Sequence, residues 1–170
     1  MSISTAQQTY LLSETENQLI FLQDILPDAF DETSQTFSPK AIFLGGQSGS
    51  GKSDLALAMQ QSFSEVEGVV IVNSDALREY HPNFLWLQKN NPDQASFLVN
   101  PDTFKWQQKL IAATVESGRN LILDGTLGGD SAPILQTMKQ LKTSGYSVQL
   151  SILAVPARLS RLGIYKHYED

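Results

Sequence analysis

Cysteine is absent from the 170 residues, which excludes disulfides, zinc knuckles and thiol chemistry and fits a reducing cytoplasm. No apolar run approaches the roughly 20 residues that cross a bilayer, so no membrane association is expected. The start, MSISTAQQTY, lacks a basic n-region and an apolar h-region, so no secretory signal is expected either. Positive charge is scarce. The 12 Lys and Arg face 18 Asp and Glu, and the formal net charge of −6 argues against broad binding to nucleic acid. Charged residues make up only 18%, beside 11 Gly and 7 Pro, so neither a disordered nor a fibrous composition fits. What is there is 41% hydrophobic, enough for one core in a chain of about one domain's length.

Lys and Arg are missing altogether from residues 1–39, which carry six acids: Glu14, Glu16, Asp24, Asp28, Asp31 and Glu32. The rest holds twelve of each sign and is formally neutral. Within the acidic stretch, Ser13 and Glu16 have the spacing of a capping box. Leu19, Ile20, Leu22 and Leu26 then recur at near-helical spacing until Pro27. The pattern predicts a helix from about Ser13 to Leu26 that packs through Leu19, Leu22 and Leu26.

From Lys40 onward, short apolar runs alternate with longer helical stretches. The runs are AIFLG (41–45), GVVIVN (68–73), NLILDG (120–125) and YSVQLSILAV (146–155). The first three are nearly continuous in apolar residues, as strands buried on both faces of a parallel sheet are. Helical stretches after Lys52, around Asp102–Glu116, from Pro133 to about Thr143 and from Pro156 onward supply the crossovers. The expected fold is α/β: a doubly wound parallel sheet flanked by helices, preceded by an N-terminal helix. The last stretch, ARLSRLGIYKHYED, reads as a helix that stops without a capping signal.

The strongest motif is Gly46-Gln47-Ser48-Gly49-Ser50-Gly51-Lys52-Ser53, a full G-x-x-x-x-G-K-[ST] match between an apolar strand and a helical stretch. Glycines let such a loop curl so that backbone N–H groups point inward, and the helix adds its positive N-terminal end. Lys52 is placed to meet the β- and γ-phosphates of a nucleotide, and the Ser53 hydroxyl to ligate magnesium. No N-K-x-D base-reading motif of a GTPase is present. The short chain favours a small-molecule kinase over a motor ATPase.

Two acids close predicted strands. Asp75, in NSDALREYHPNF, sits where ligands bind open parallel sheets, beyond the carboxyl ends of strands. It can accept the proton of an attacking hydroxyl or hold a magnesium-bound water. It can equally cap the next helix. Asp124-Gly125-Thr126 ends the third strand in the same way and suits the gripping of sugar hydroxyls, with helix capping again the plainer alternative. Gly128-Gly129 follows. His81, before Pro82, reads as a structural hydrogen-bonding histidine rather than a metal ligand, since no second His or Cys is near. Trp86 and Trp106 read as packing residues, or one of them as lining a substrate shelf.

Together GGQSGSGKS, NSDALREYHPNF, SGRNLILDGT and AVPARLSRLGIYKHYED resemble the zeta toxin family, P-loop kinases of bacterial toxin–antitoxin systems. The resemblance implies phosphorylation of UDP-N-acetylglucosamine at the 3'-hydroxyl of its amino sugar, from ATP or GTP with Mg2+, and a block of cell-wall precursor synthesis. It implies that Lys52 and Ser53 hold the nucleotide phosphates and the metal, and that Asp75 is the general base. Asp124 and Thr126 fall where the family binds substrate. A small antitoxin protein is the implied partner. Departures are visible: Gln108 stands where the family has a Glu, Asp124 is shorter than the usual Glu, and Gly128 stands in place of a common Arg, for which Arg78 or Arg119 would have to substitute. The resemblance therefore divides the chain into an acidic helical segment, 1–36, and a P-loop kinase domain, 37–170, without the family's arginine-bearing lid and last strand. Two alternatives stand beside an active kinase: a nucleotide-binding protein acting mainly through a partner, and a kinase of another small hydroxylated compound.

Overall fold

Five consecutive buried residues, Ala41 to Gly45, make β1 (Lys40–Gly46) a strand with no solvent face. β3 (Leu121–Asp124) is likewise buried at every position. The computed structural model describes residues 3–46, 50–63, 66–125, 132–156 and 158. With β2 (Val70–Asn73) and β4 (Ser147–Leu153) these strands form a four-stranded sheet in the order β2-β3-β1-β4. β1 runs parallel to both neighbours, with Leu44 in register with Asp124 on one side and Ser151 on the other. The helices α4 (Lys52–Gln60) and α8 (Ala132–Thr143) flank it, and the fold is the α/β, P-loop kinase-like arrangement that the alternation of runs predicts.

By their contacts the residues divide into two units, Met1–Asp31 with Val72–Ala113, and Glu32–Ile71 with Thr114–Asp170. The second unit holds β1, β3, β4 and the first half of β2. Its core packs Ile42, Leu44, Ala56, Val69 and Ile122 against Leu55, Met59, Phe63 and Ile71. Each fully buried side chain of this size contributes about 1.5–3 kcal/mol. Asn120 ties the strand starts together. Its Oδ1 accepts from the Lys40 N–H at 3.0 Å, its Nδ2 donates to the Gly68 carbonyl at 3.0 Å, and its carbonyl accepts from the Val70 N–H at 2.9 Å. β4 differs from the other strands, since Leu150 and Ile152 are exposed.

The first unit is helical. It contains α1 (Thr5–Gln8), α2 (Glu14–Ile20), a π-helical turn (Phe21–Ile25), α3 (Leu26–Phe30), α5 (Ser74–Glu79), α6 (Phe84–Asn90) and most of α7 (Pro92–Glu116). The Ser13–Glu16 capping box is present, with the Glu16 N–H donating to Ser13 Oγ and the Ser13 N–H to Glu16 Oε2. Two expectations are corrected here. The helix runs on through Pro27 to Phe30, because the wider turn ahead of it, in which the Leu26 N–H reaches back to the Phe21 carbonyl, loosens the ladder where the proline ring and its missing N–H would otherwise break it. The buried face is Asn17, Phe21 and Ile25, while Leu19 and Leu22 are about half exposed. Asn17 turns inward because α7 offers it three partners, a preference that a count of apolar residues does not register.

Those partners form a buried polar knot. Asn17 Nδ2 donates to Asp102 Oδ1 at 2.9 Å, its Oδ1 accepts from Lys109 Nζ at 2.8 Å, and its carbonyl accepts from Trp106 Nε1 at 2.8 Å. Asp102 Oδ2 takes the Leu12 N–H at 3.0 Å and lies 3.6 Å from His81 Nε2. Burial pushes the Asp102 carboxyl up, but the neighbouring His81 and the donors from Leu12 and Asn17 outweigh it and hold the group below its usual range. Trp106 is wholly buried and is a packing residue, whereas Trp86 is largely exposed.

α7 begins at Pro92, ten residues before the expected start, and passes through Pro101. Proline there cannot donate to the carbonyl four residues back, which belongs to Phe97. Gln7 Nε2 of α1 donates to that carbonyl instead, at 2.9 Å.

Candidate functional site

β1 delivers the chain to Gly46, whose Cα is in register with Leu153 of β4. A Cβ at Gly46 would lie 2.8 Å from Ser50 Oγ and 2.9 Å from the Leu153 carbonyl oxygen, so the loop can leave the strand only where no side chain exists. At the other end Gly51 precedes α4 with φ of 87°, a left-handed conformation that costs L-residues about 1–2 kcal/mol. α4 then starts at Lys52, whose Nζ donates to the Gly46 carbonyl at 3.0 Å and so draws the two ends of the loop together. Ser50 Oγ is buried and has no hydrogen-bond partner among the described residues. A buried hydroxyl short of a partner is costly, and a phosphate oxygen is the kind of acceptor that would satisfy it. The loop thus fits a nucleotide's phosphate chain on the strength of Gly46, Ser50, Gly51 and Lys52.

Asp124 ends β3 at the same end of the sheet, its Cα paired with Leu44, two residues before the loop. The residue is buried. Gln47, Ser48 and Gly49 of the loop, the side chain of Ser53, Thr126, Gly128 and Gly129, and the helix expected from Pro156 (apart from Pro156 itself and Arg158) lie outside the described residues.

Of the remaining candidates, Asp75, Arg78, His81 and Gln108 belong to the first unit and Arg119 to the second. β2 ends at Asn73, and Asn73 Oδ1 accepts from the Asp75 N–H at 2.7 Å and the Ala76 N–H at 3.3 Å. The cap of α5 is therefore Asn73, and the Asp75 carboxylate is free of that duty. Asp75 stands in the first turn with its side chain 81% exposed, and its Oδ1 takes a charge-assisted hydrogen bond from Arg78 Nη1, three residues on. Gln108 is exposed on α7. His81 is buried, its Nδ1 accepting from the Asn83 N–H at 3.2 Å, in keeping with a structural role. Arg119 Nε donates to Thr33 Oγ1 at 3.1 Å.

Sequence reasoning missed two of these features. Asn73 was legible in principle, as a good capping residue at a strand end. The pairing of Arg78 with Asp75 has only its i, i+3 spacing as a signal.

Among the described residues no helix is long and apolar enough to cross a membrane. The zeta toxin family model matches residues 24–170. A Toxin zeta of Streptococcus pyogenes and one of Enterococcus hirae are each 34% identical over 149 residues, 87% of this chain. Toxin PezT of Streptococcus pneumoniae is 33% identical over 132 residues, 78% of the chain. The chain spans about half the length of these relatives, 50% and 51%. A solved structure from work on the PezAT chromosomal toxin–antitoxin system of Streptococcus pneumoniae superposes with a TM-score of 0.84 at 29% identity, covering 96% of this chain and 65% of that one. With a family match over most of its length and the phosphate loop in its strand–loop–helix setting, the chain belongs to the zeta toxin family.

Proposed function

We propose that the chain belongs to a cytoplasmic kinase that transfers the γ-phosphate of ATP or GTP to the 3'-hydroxyl of UDP-N-acetylglucosamine and acts as a toxin restrained by a small antitoxin. The observation that carries this is the loop from Gly46 to Lys52, with its two obligatory glycines and the unsatisfied Ser50 hydroxyl. Family membership narrows a general phosphate site to a kinase, and the relatives' names supply the toxin and antitoxin roles.

In this reading Lys52 leaves the Gly46 carbonyl for the β- and γ-phosphates, Ser50 donates to a phosphate oxygen, and Ser53 holds magnesium. Bound magnesium supplies charge neutralisation across the phosphates. Asp75 orients the sugar hydroxyl and takes its proton as the new O–P bond forms and the bond from the γ-phosphorus to the bridging oxygen breaks. The proton then passes to solvent. Asp124, Thr126 and Gln108 contact the substrate. Gln108 keeps hydrogen-bonding capacity without a carboxylate's charge, which favours a neutral hydroxyl or amide partner there.

A second reading, nucleotide binding without transfer, draws on Gln108, which offers no carboxylate to a substrate. The two separate in one assay. Labelled ATP is offered with UDP-N-acetylglucosamine, other UDP-sugars and unrelated polyols, in parallel with calorimetry of magnesium-ATP. Label in UDP-N-acetylglucosamine, lost in Lys52→Ala together with nucleotide affinity, is the expected result. Nucleotide binding with no labelled acceptor favours the second reading, and label only in a polyol replaces the substrate.

A further inference from the structure

Asp75 has no packing to hold its side chain. Its carboxylate is 81% exposed, its own N–H is already taken by Asn73, and an exposed acid of this kind samples several rotamers. Arg78, one turn further along α5, is held differently. Its side chain is only 20% exposed and its Nε is buried with no hydrogen-bond partner among the described residues. The guanidinium is therefore the fixed member of the pair and the carboxylate the free one. It grips Oδ1 alone, and Oδ2 takes no hydrogen bond among the described residues. We propose that Arg78 is a positioning residue for Asp75, fixing one carboxylate oxygen so that the other faces outward to receive a hydroxyl proton. The proposal rests on the reading of Asp75 as the base and names the group that orients it. Arg119, the other candidate for a substituting cation, is engaged with Thr33.

A merely stabilising ion pair predicts something else. A pair with one partner this exposed contributes little to folding, so its loss would be nearly silent in every assay. A positioning role predicts a defect in turnover that depends on Asp75. Arg78→Gln is expected to lower kcat about tenfold with KM for both substrates within about twofold, and Arg78→Lys to recover to within about threefold of wild type. In an Asp75→Asn background Arg78→Gln should bring no further loss, since a group acting only through the carboxylate has nothing left to orient. Three-bond couplings across the Asp75 Cα–Cβ bond, read by NMR on the same proteins, should report one rotamer in wild type and averaging in Arg78→Gln. Losses that multiply in the double variant overturn the proposal, as does a rise in KM with kcat intact, which would make Arg78 a substrate contact. Unchanged couplings overturn it too. Should no variant transfer phosphate, the couplings decide alone: averaging in Arg78→Gln upholds the positioning and places the failure on the proposed function, whereas invariance ends both.

Discussion

At the start of α5, Asn73 and Asp75 divide two tasks that one acid could have combined. Asn73 satisfies the free N–H groups and Asp75 projects into solvent. The division sets a test at a single atom. Asp75→Asn should leave the thermal midpoint close to wild type, within about 0.5 kcal/mol, because the cap stays and the lost ion pair is exposed. Turnover in a single-turnover assay should fall about a hundredfold or more. Asn73→Ala should do the reverse in kind, costing about 1 kcal/mol of stability. Sequence placed Asp75 at a strand end but could not choose among Asn73, Ser74 and Asp75 for the cap, since all three residue types cap well. The loop was more legible. Gly46, Gly51 and Lys52 occupy fixed places in a motif whose spacing the backbone itself demands, and the structure supplies the reason at each glycine.

Helices show what pattern reading can and cannot reach. β1 and β3 were legible from apolar runs, because burial on both faces leaves a continuous signal. Pro27 reads as a boundary and is not, since it follows a π turn, while Pro101 lies inside α7 and the carbonyl it orphans is served by a glutamine 90 positions away in sequence. That service is measurable. Gln7→Ala should cost about 1 kcal/mol, seen as a midpoint lowered by about 2–4 °C. In a Pro101→Ala background, where the helix can supply its own N–H, the same change should cost markedly less. The buried knot gives an element-level pH dependence. The Asp102 carboxyl sits lower in the folded chain than in the unfolded one, so its stabilisation is complete above the usual carboxylate range. As pH falls below about 4 the unfolded chain takes the proton first, and the contribution is lost as pH passes through the folded value. Asp102→Asn should therefore flatten the fall in thermal midpoint between about pH 5 and pH 2.

Taken whole, the molecule places its acidic N-terminal segment not as a tail but as part of a helical unit. Phe21 and Ile25 are buried there, Asn17 closes the knot with α7, and Tyr80 donates to Asp28 at 2.9 Å. Burial first, and the Asp28 carboxylate second, push the Tyr80 phenol up to about 12, so it remains a donor at any ordinary pH. Removing residues 1–31 should lower the thermal midpoint by about 10 °C or more: two buried apolar side chains at about 1.5–3 kcal/mol each are lost, and buried polar partners are left behind. A truncated chain melting with the full one would show that the segment contributes nothing to the core. Net charge and the six clustered acids marked this segment as distinct, but no feature of one sequence shows that its buried face is centred on an asparagine.

Asn17 meets Asp102 and Lys109 across 85 and 92 residues of chain. During synthesis at roughly 5–20 residues per second, the segment therefore waits roughly 5–20 s after emerging before its partners exist. Through that interval Phe21 and Ile25 face water beside Leu19 and Leu22, which stay about half exposed even in the finished fold, on a stretch of chain whose charged side chains are all acidic. Three of the six acids have partners in the folded chain, Glu14 with Lys105, Glu16 with Ser13 and Asp28 with Tyr80, and before those partners exist the same acids give every nascent copy like charge.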